Sequence, residues 1–320
     1  ATLYCSVAQG GQILFYKKIP NTAKAIKQLV AELKKRFSCS LNQFLFAMEH
    51  TGVYTHFLKN VLVDFGANIW LISPLHLSRS LGLQRGKNDK IDSERIAIYA
   101  FKNSIDFRPY INMRPILNQV KRMFALRRQL VKSRKQLKTH IQDLDFMGKG
   151  TAFKIESFVE APIAQINEQI KEVENETLSV IHGDSALSRK YLLVNSVMGV
   201  GLVLTVKILL VTNEFKTINE PRKMACMGGI APYIFESGTS VKKQTRVSSM
   251  ADKELKYLLH MAAMVAIREP GNFKDYYQRK KAEGKHSMKV INAIRNKLIH
   301  CIFACVNQDR MYKRNYQRTA

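Results

Sequence analysis

Apolar and polar residues alternate along the first third of the chain in a way that predicts both strands and helices. Four short runs of apolar or β-prone residues predict strands: 3–7, 13–16, 44–48 and 68–72. Three longer segments with helical spacing or helix boundaries predict helices: 22–37, 54–65 and 89–102. Gly10-Gly11 marks a turn between the first two strands. This order predicts an α/β sheet domain over residues 1–107.

The pattern then becomes purely helical. Apolar side chains recur at every seventh position: Ile116, Met123, Leu130, Leu137 and Leu144. After the break at Gly148-Lys149-Gly150, a second helix is expected to start near Pro162. Two heptad-like helices joined by a glycine turn predict an antiparallel coiled-coil hairpin over residues 108–185.

Residues 186–320 predict a mainly helical domain with one long loop. Helices are expected over 197–210, 250–268 and 286–307, and the loop over 231–249 is rich in Gly, Ser and Thr. Gly199 and Gly201 open the first of these helices. They form either an ordinary tight turn or a helix entry that offers free backbone N–H groups to a phosphate.

The net charge of the chain says more about its function than the rest of its composition does. Lys and Arg number 51 against 25 Asp and Glu in 320 residues, a net charge of +26. A chain this basic is expected to bind a polyanion, with nucleic acid first and an anionic membrane surface a distant second. No apolar run reaches the ~20 residues of a membrane span. The five scattered cysteines indicate reduced cytosolic thiols, and a cytoplasmic, nucleoid-associated protein is expected. In the hairpin, the basic first helix either pairs with the acidic second or also contacts phosphates or a partner subunit.

Three acidic residues occur at positions where they could together bind a metal ion. Glu49 follows the apolar run 44–48, at the carboxyl end of a predicted strand, and Asp89 and Asp92 share one face of a predicted helix. Converging carboxylates can bind Mg²⁺, which prefers hard oxygen ligands. The alternative is structural: Asp89 as the helix N-cap, Asp92 favourable at the helix dipole, and Glu49 an exposed strand-end acid.

A candidate nucleophile lies in the long loop. Ser237 is followed by the basic residues Lys242, Lys243 and Arg246. A serine hydroxyl beside cations can attack a phosphodiester, although small polar loops of this kind are common. Tyr276 and Tyr277 are a second pair of candidates, with the edge of an amphipathic helix as their ordinary interpretation.

Several of these segments match the motifs of one family in order. The matches are Glu49 to Tyr54 (Glu-x-Thr-Gly-x-Tyr), Lys87 to Asp92 (Lys-x-Asp-x-x-Asp), Gly199 to Gly201, Gly229 to Pro232, Glu236 to Val241 and the late basic stretch from Lys289 to Leu298. With them the chain resembles the DEDD-type insertion-sequence transposases, a family that includes Piv-type site-specific DNA invertases and bridge-RNA-guided recombinases.

The resemblance implies a fold and a site. It implies a RuvC-like RNase H fold for residues 1–107, followed by the hairpin and a serine-bearing transposase domain over 186–320. Ser237 becomes the nucleophile, and Glu49, Asp89 and Asp92 become both catalytic residues and ligands of Mg²⁺ at the same phosphate. The nucleic-acid-binding residues it implies are Gly199, Gly201, Lys242, Lys243, Arg246, Lys289, Arg295 and Lys297.

The family's first acid has no counterpart here. It lies on a first strand expected just before Ala1, so the RuvC-like domain is expected to lack that strand in this sequence. The implied function is a transposase or invertase that rejoins DNA through a serine-linked intermediate. DNA, a guide RNA and a homodimer or homotetramer are the implied partners. A metal-only nuclease and a degenerate nucleic-acid-binding protein remain the alternatives.

Overall fold

The protein folds as two compact units, residues 1–112 and 113–320. The computed structural model describes residues 2–50, 52–80, 82, 86, 88–142, 149–237 and 241–314. The first unit mixes strands with helices, and the second is mainly helical. The predicted coiled-coil segment and the serine-bearing segment fall together in the second unit. No helix in the described parts of the chain is long and apolar enough to cross a bilayer.

The first unit begins with an antiparallel hairpin. Strand β1 (Thr2–Gln9) pairs with β2 (Gln12–Pro20), and the turn between them is Gly10-Gly11. Both glycines have positive φ, +59° and +81°, as a two-residue hairpin turn with the twist of its strands requires. The turn expected from sequence is therefore confirmed.

Helix α1 (Ala23–Phe37) covers this hairpin. The Thr22 hydroxyl caps it by accepting a hydrogen bond from the Ala25 amide. Its apolar stripe was visible in the sequence, and four side chains at helical spacing are buried: Ile26, Leu29, Val30 and Leu33. Ile26, Leu29 and Leu33 pack against Phe15 and Ile19 of β2 and against Val61. Val30 packs on the other side, in the cluster of the β3–β4 pair.

A parallel strand pair forms the other half of the unit. Strand β3 (Leu45–Glu49) pairs with β4 (Asn68–Ile72), with Glu49 opposite Ile72. Helix α2 (His56–Asp64) makes the crossover, and α3 (Pro74–Ser80) and α4 (Asp89–Lys102) follow β4. A parallel pair with a helical crossover is the unit from which α/β domains are built.

The strands do not join into the single sheet that the sequence analysis expected. β1–β2 and β3–β4 are separate two-stranded sheets. Helix α4 contacts both β1 and β3 and spans the two sheets, while the edges of β1 and β3 border a cavity between them. The first unit therefore has the composition of an α/β domain with its sheet in two halves.

Two long antiparallel helices open the second unit, α5 (Pro115–Gln142) and α6 (Lys149–His182). Arg127 of α5 donates a hydrogen bond to Glu174 of α6, and Arg134 of α5 donates one to Asn167 of α6. Moving seven residues forward on α5 thus corresponds to moving seven residues backward on α6. This reversal of order is the register of an antiparallel pair. The expected start near Pro162 is wrong, because α6 begins at Lys149 and runs through that proline. Of the expected glycine break, Lys149 and Gly150 are instead the first residues of α6, and Gly148 lies outside the described residues.

The remaining helices surround one continuous core. They are α7 (Ser185–Asn195), α8 (Leu202–Val211), α9 (Pro221–Met227), α10 (Lys253–Ala266), α11 (Asn272–Ala282) and α12 (Ser287–Asn307). Helix α12 lies at the centre of this core and contacts α7, α9, α10 and α11. A second cluster joins the open end of the α5–α6 pair to α7 and α8 through Leu117, Val120 and Ile181, among others.

An ion-pair network ties the first residues of this unit to its core. The Arg114 guanidinium donates to both oxygens of Asp184 at 2.8 and 3.0 Å and to both oxygens of Glu214 at 2.7 and 2.8 Å. These hydrogen bonds lower the pKa of Asp184 to about 2. Burial raises the pKa of Glu214, but the hydrogen bonds from Arg114 and Lys190 outweigh burial and leave it lowered. Arg114 thus helps to hold both carboxylates in the charged form, and Lys190 adds to its effect on Glu214.

Candidate active site

Glu49 stands at the carboxyl end of β3. It is the last residue of the strand and half-buried, and the His50 amide after it still donates to the Ile72 carbonyl at 3.3 Å. The chain then turns at Gly52, whose φ is +67°. The strand therefore places the carboxylate where open α/β sheets commonly bind ligands.

Asp89 and Asp92 stand in the first turn of α4. The N-cap is Asn88, whose side-chain oxygen accepts from the Ile91 amide at 2.8 Å. The capping role considered for Asp89 is therefore taken by its neighbour, and Asp89 is exposed. Asp92 lies 3.3 Å from Arg95, one turn further along the helix. Negative charge in the first turn of a helix is electrostatically favourable, because the helix dipole places partial positive charge there.

One cavity of about 730 Å³ brings these three acids together. It lies among β1, α1, β3 and α4, and Glu49, Asp89 and Asp92 all contribute to its lining. Ser6 of β1 and Ser93 of α4 bridge it with their hydroxyl oxygens 2.8 Å apart. Most of the remaining lining is apolar, so the acids form the polar part of an otherwise hydrophobic cleft.

The acids share this cavity without forming a closed metal site. Among the described residues, no group of three or more His, Cys, Asp or Glu side chains is placed to hold a metal ion. The donor chemistry suits Mg²⁺, because all three groups offer hard carboxylate oxygens. Glu49, Asp89 and Asp92 are therefore candidate ligands that line one cavity.

Ser237 lies on a short hairpin, where the sequence analysis expected an unstructured loop. Strand β5 (Tyr233–Ser237) pairs antiparallel with β6 (Val241–Arg246), and Ser237 is opposite Val241. The β-prone run Tyr233-Ile234-Phe235 favours a strand here, although the Gly, Ser and Thr residues that follow it are typical of a loop. Residues 238–240 lie outside the described part of the chain, as do the side chains of 233–246, including Lys242, Lys243 and Arg246.

The hairpin is anchored to the helical core just before it begins. Ile230 is buried, and its carbonyl accepts a hydrogen bond from the Asn292 side chain of α12 at 3.0 Å. Gly229 has a φ of +59°, and a β-carbon there would lie 2.6 Å from the Ala251 side chain. A tight glycine turn and a buried isoleucine thus fix where β5 leaves the core.

The glycines before α8 have different structural roles. Gly199 has a φ of +79°, and a β-carbon there would lie 2.3 Å from the Ala262 carbonyl oxygen of α10. Gly201 is the exposed N-cap of α8, and a β-carbon there would meet nothing within 4 Å. Close helix packing therefore explains the first glycine, and the second leaves the N-terminus of α8 accessible.

The basic residues of α12 are split between surface and interior. Lys289 and Lys297 are exposed, whereas Arg295 is only 6% exposed. Its Nη2 lies 2.5 Å from His260 Nδ1 of α10, and its Nε has no hydrogen-bond partner among the described residues. Burial, and then the charge of Arg295, lower the pKa of His260, which keeps the imidazole neutral and able to accept. Sequence reasoning missed His260, because nothing in its spacing distinguishes it on α10.

Helix α5 presents a basic face. Six of its cations are exposed: Lys121, Arg122, Arg128, Lys132, Lys135 and Lys138. Between α5 and α6, the ion pair found among the described residues is Arg127 with Glu174. Charge pairing within the hairpin therefore uses few of the cations. Arg128 pairs with Glu254 of α10, with Nη1 and Oε2 3.6 Å apart. The other five exposed cations form no ion pair among the described residues and remain available to an external anion.

The comparisons with known proteins agree with the order of these motifs. A DEDD transposase family model of the IS110 type matches residues 3–144, and a model described as "Transposase IS116/IS110/IS902 family" matches residues 191–278. The chain belongs to this transposase family. It is accordingly a DNA recombinase enzyme.

Individual relatives include DNA-inverting proteins. The chain is 23% identical over 270 residues to the pilin gene-inverting proteins of Moraxella lacunata and Moraxella bovis, an alignment that covers 83% of this chain and 80% of each relative. It is 21% identical over 171 residues to the 44.8 kDa protein of insertion element IS116 from Streptomyces clavuligerus, covering 53% of this chain and 42% of that protein.

Proposed function

We propose that this transposase-family enzyme cuts and rejoins DNA through a covalent bond between Ser237 and a DNA phosphate. The observation that carries the proposal is the position of Ser237. It is the last residue of β5 and pairs with Val241, on a hairpin that leaves the helical core. The end of a strand on a short hairpin outside the core is a position that a bulky phosphodiester can approach.

The proposed reaction conserves the phosphodiester bond. The Ser237 Oγ attacks phosphorus, the bond between phosphorus and one sugar oxygen breaks, and that oxygen leaves with a proton as a sugar hydroxyl. A sugar hydroxyl of another strand end then attacks the phosphoserine and releases the serine. Because each step exchanges one phosphate ester for another, no external energy source is needed.

The carboxylates Glu49, Asp89 and Asp92 are proposed to bind Mg²⁺. The support is that all three line one cavity and that all three are hard oxygen donors. A bound Mg²⁺ would stabilise charge on the phosphate oxygens and on the leaving oxygen. The fourth acid implied by the resemblance has no residue in this sequence, so the proposal assigns three.

The exposed cations of α5 are proposed to contact the nucleic-acid backbone. Six exposed Lys and Arg side chains on one helix suit a phosphate chain. The heptad-like spacing and the antiparallel register of α5 and α6 favour a coiled coil, and this pair is the proposed contact between subunits of a dimer or tetramer. A guide RNA would meet the same basic surfaces as DNA.

The test is a trapping experiment with end-labelled DNA from the flanks of the protein's own gene. Protein, DNA, Mg²⁺ and any co-purifying RNA are incubated, treated with or without protease, and separated on a denaturing gel. We expect a protease-sensitive protein–DNA band for the unmodified chain and for Ser240→Ala, which removes a hydroxyl three residues further along the chain. The band should be absent for Ser237→Ala.

Two outcomes would overturn this proposal. An equal adduct in Ser237→Ala would place the nucleophile elsewhere. Cleavage without any adduct, equal in both variants and abolished in Asp89→Asn, would indicate a metal-dependent nuclease in which the serine forms no bond to DNA.

A further inference from the structure

A second cavity, distinct from both candidate catalytic centres, lies at the end of the helical core. It has a volume of about 740 Å³ and is formed by α11, by the second half of α12 and by the segment that follows α12. This volume is within the range of pockets that bury small organic ligands. Neither Ser237 nor any of the three candidate acids lines it.

The wall of this cavity carries cations arranged around an aromatic ring. Lys297 Nζ lies 4.5 Å from the centroid of the Tyr276 ring, and the Arg279 guanidinium carbon lies 5.7 Å from it. Within the described structure, neither cation forms an ion pair with a carboxylate. Lys313 and Arg310 add positive charge, and Asp275 is the acid of the lining.

The floor of the cavity is held in place by contacts within the protein. The buried Phe273 of α11 stacks on Tyr312, with ring centroids 6.2 Å apart and planes 14° from parallel. The Tyr312 amide donates to the Ser196 hydroxyl at 3.0 Å, which fastens the segment after α12 to the end of α7. A preformed pocket of this kind loses little conformational entropy on binding.

The two thiols of this cavity are poorly suited to nucleophilic chemistry. Cys301 and Cys305 contribute to its lining, and burial raises the pKa of both thiols, that of Cys301 to about 11. Both are therefore mainly protonated at neutral pH. What remains is an aromatic surface surrounded by lysine and arginine.

We propose that this cavity binds one unpaired nucleotide of a nucleic-acid strand. The base stacks against Tyr276 and the guanidinium plane of Arg279, and Lys297 contacts the adjoining phosphate. Aromatic rings and arginine planes are the surfaces on which proteins stack unpaired bases, and cations beside them follow the backbone. Because a base inside a duplex cannot reach such a pocket, the site selects single-stranded or flipped-out nucleotides.

The test measures the binding of three labelled oligomers of one sequence, as single-stranded DNA, single-stranded RNA and duplex DNA, by fluorescence anisotropy. Tyr276→Ala should weaken single-strand binding about 5- to 150-fold, the loss expected for one stacked base, and leave duplex binding unchanged. Tyr276→Phe should retain the affinity. Lys297→Ala should lower the slope of log affinity against log salt by about 1.

The matched control is Tyr257→Ala, a tyrosine of α10 that is 60% exposed and does not line the cavity. A loss confined to the DNA or to the RNA oligomer would support the site and identify its strand. Equal losses in Tyr257→Ala and Tyr276→Ala, or no loss in either, would overturn it.

A second measurement does not depend on the folding of any variant. The unmodified protein is irradiated with single-stranded oligomers that carry 5-iodouracil, and the adducts are mapped by mass spectrometry. We expect an adduct on Tyr276 or on a residue beside it in the cavity. Adducts found solely on residues outside this cavity would contradict the proposal.

Discussion

The two units bury their apolar side chains in different ways. In the second unit, one large cluster gathers most helices around α12. In the first, three smaller clusters serve α1 and its hairpin, the β3–β4 pair, and the side of β4 that faces α4. The candidate acids thus stand at the ends of elements that border an open cavity, whereas the candidate serine extends from a closed core. Ligand binding is expected to change the stability of the first unit more than that of the second.

The chain offers a direct way to observe each unit separately. Trp70, in β4, is the sole tryptophan of the sequence and is buried. Its fluorescence reports on the first unit, while far-UV circular dichroism is dominated by the helices of the second. Unfolding followed by both signals therefore compares the two units in one sample.

The largest expected effect is that of Arg114→Ala on the second unit. The change leaves Asp184 and the buried Glu214 without their shared cation, and breaking a buried ion pair costs about 3–5 kcal/mol. In urea, the dichroism transition should move to lower denaturant while the Trp70 transition stays in place. Arg122→Ala, an exposed arginine of α5, should move neither. Coincident shifts of both signals would show that the units do not unfold independently.

A smaller effect is expected when Mg²⁺ is added. If the three acids bind the ion in the folded state alone, a concentration 100 times the Kd stabilises the first unit by about 2.7 kcal/mol. The midpoint of the Trp70 fluorescence transition should move to a higher urea concentration, and the midpoint of the circular dichroism transition should not move. Asp89→Asn should abolish the rise, whereas Asp106→Asn, outside the cavity lining, should preserve it. A rise that persists in Asp89→Asn would place the ion elsewhere.

The smallest effect distinguishes the two glycines before α8. Gly199→Ala should destabilise the second unit by about 1–3 kcal/mol, because alanine at positive φ is strained and its β-carbon would approach the Ala262 carbonyl oxygen. Gly201→Ala meets open space and should cost about 1 kcal/mol or less. Equal melting temperatures for the two variants in thermal unfolding would contradict the packing role assigned to Gly199.

The sequence predicted the elements whose signals are local. The amphipathic stripe and the capping threonine define α1, and α4 extends over 89–102, as expected from its acidic start. The Gly10-Gly11 turn follows from the conformational freedom of glycine. The candidate acids lie at element ends for the same reason, since strand and helix boundaries could be predicted from neighbouring residues.

The errors arose where a distant contact decides the outcome. Whether β1 and β3 join one sheet depends on what lies between their edges, and no local pattern reports this. Helix α6 continues through Pro162, although proline removes a backbone hydrogen bond and ordinarily ends a helix. Arg295 reads as a surface cation in a basic stretch, yet α12 turns it inward toward His260. Tertiary packing overrides local preference at each of these sites.

The contacts between α5 and α6 repeat every seven residues, so the length of the pair can be changed in steps of seven residues. Its cross-links, Arg127 with Glu174 and Arg134 with Asn167, are spaced by seven residues on both helices. Removing seven residues from each helix in matched positions therefore keeps every remaining pair in register and shortens the hairpin by about 10 Å, at 1.5 Å per residue. Removing three or four residues instead would rotate the contact face of one helix away from that of the other. The reach of the hairpin can thus be varied in whole heptads without altering how its helices recognise each other.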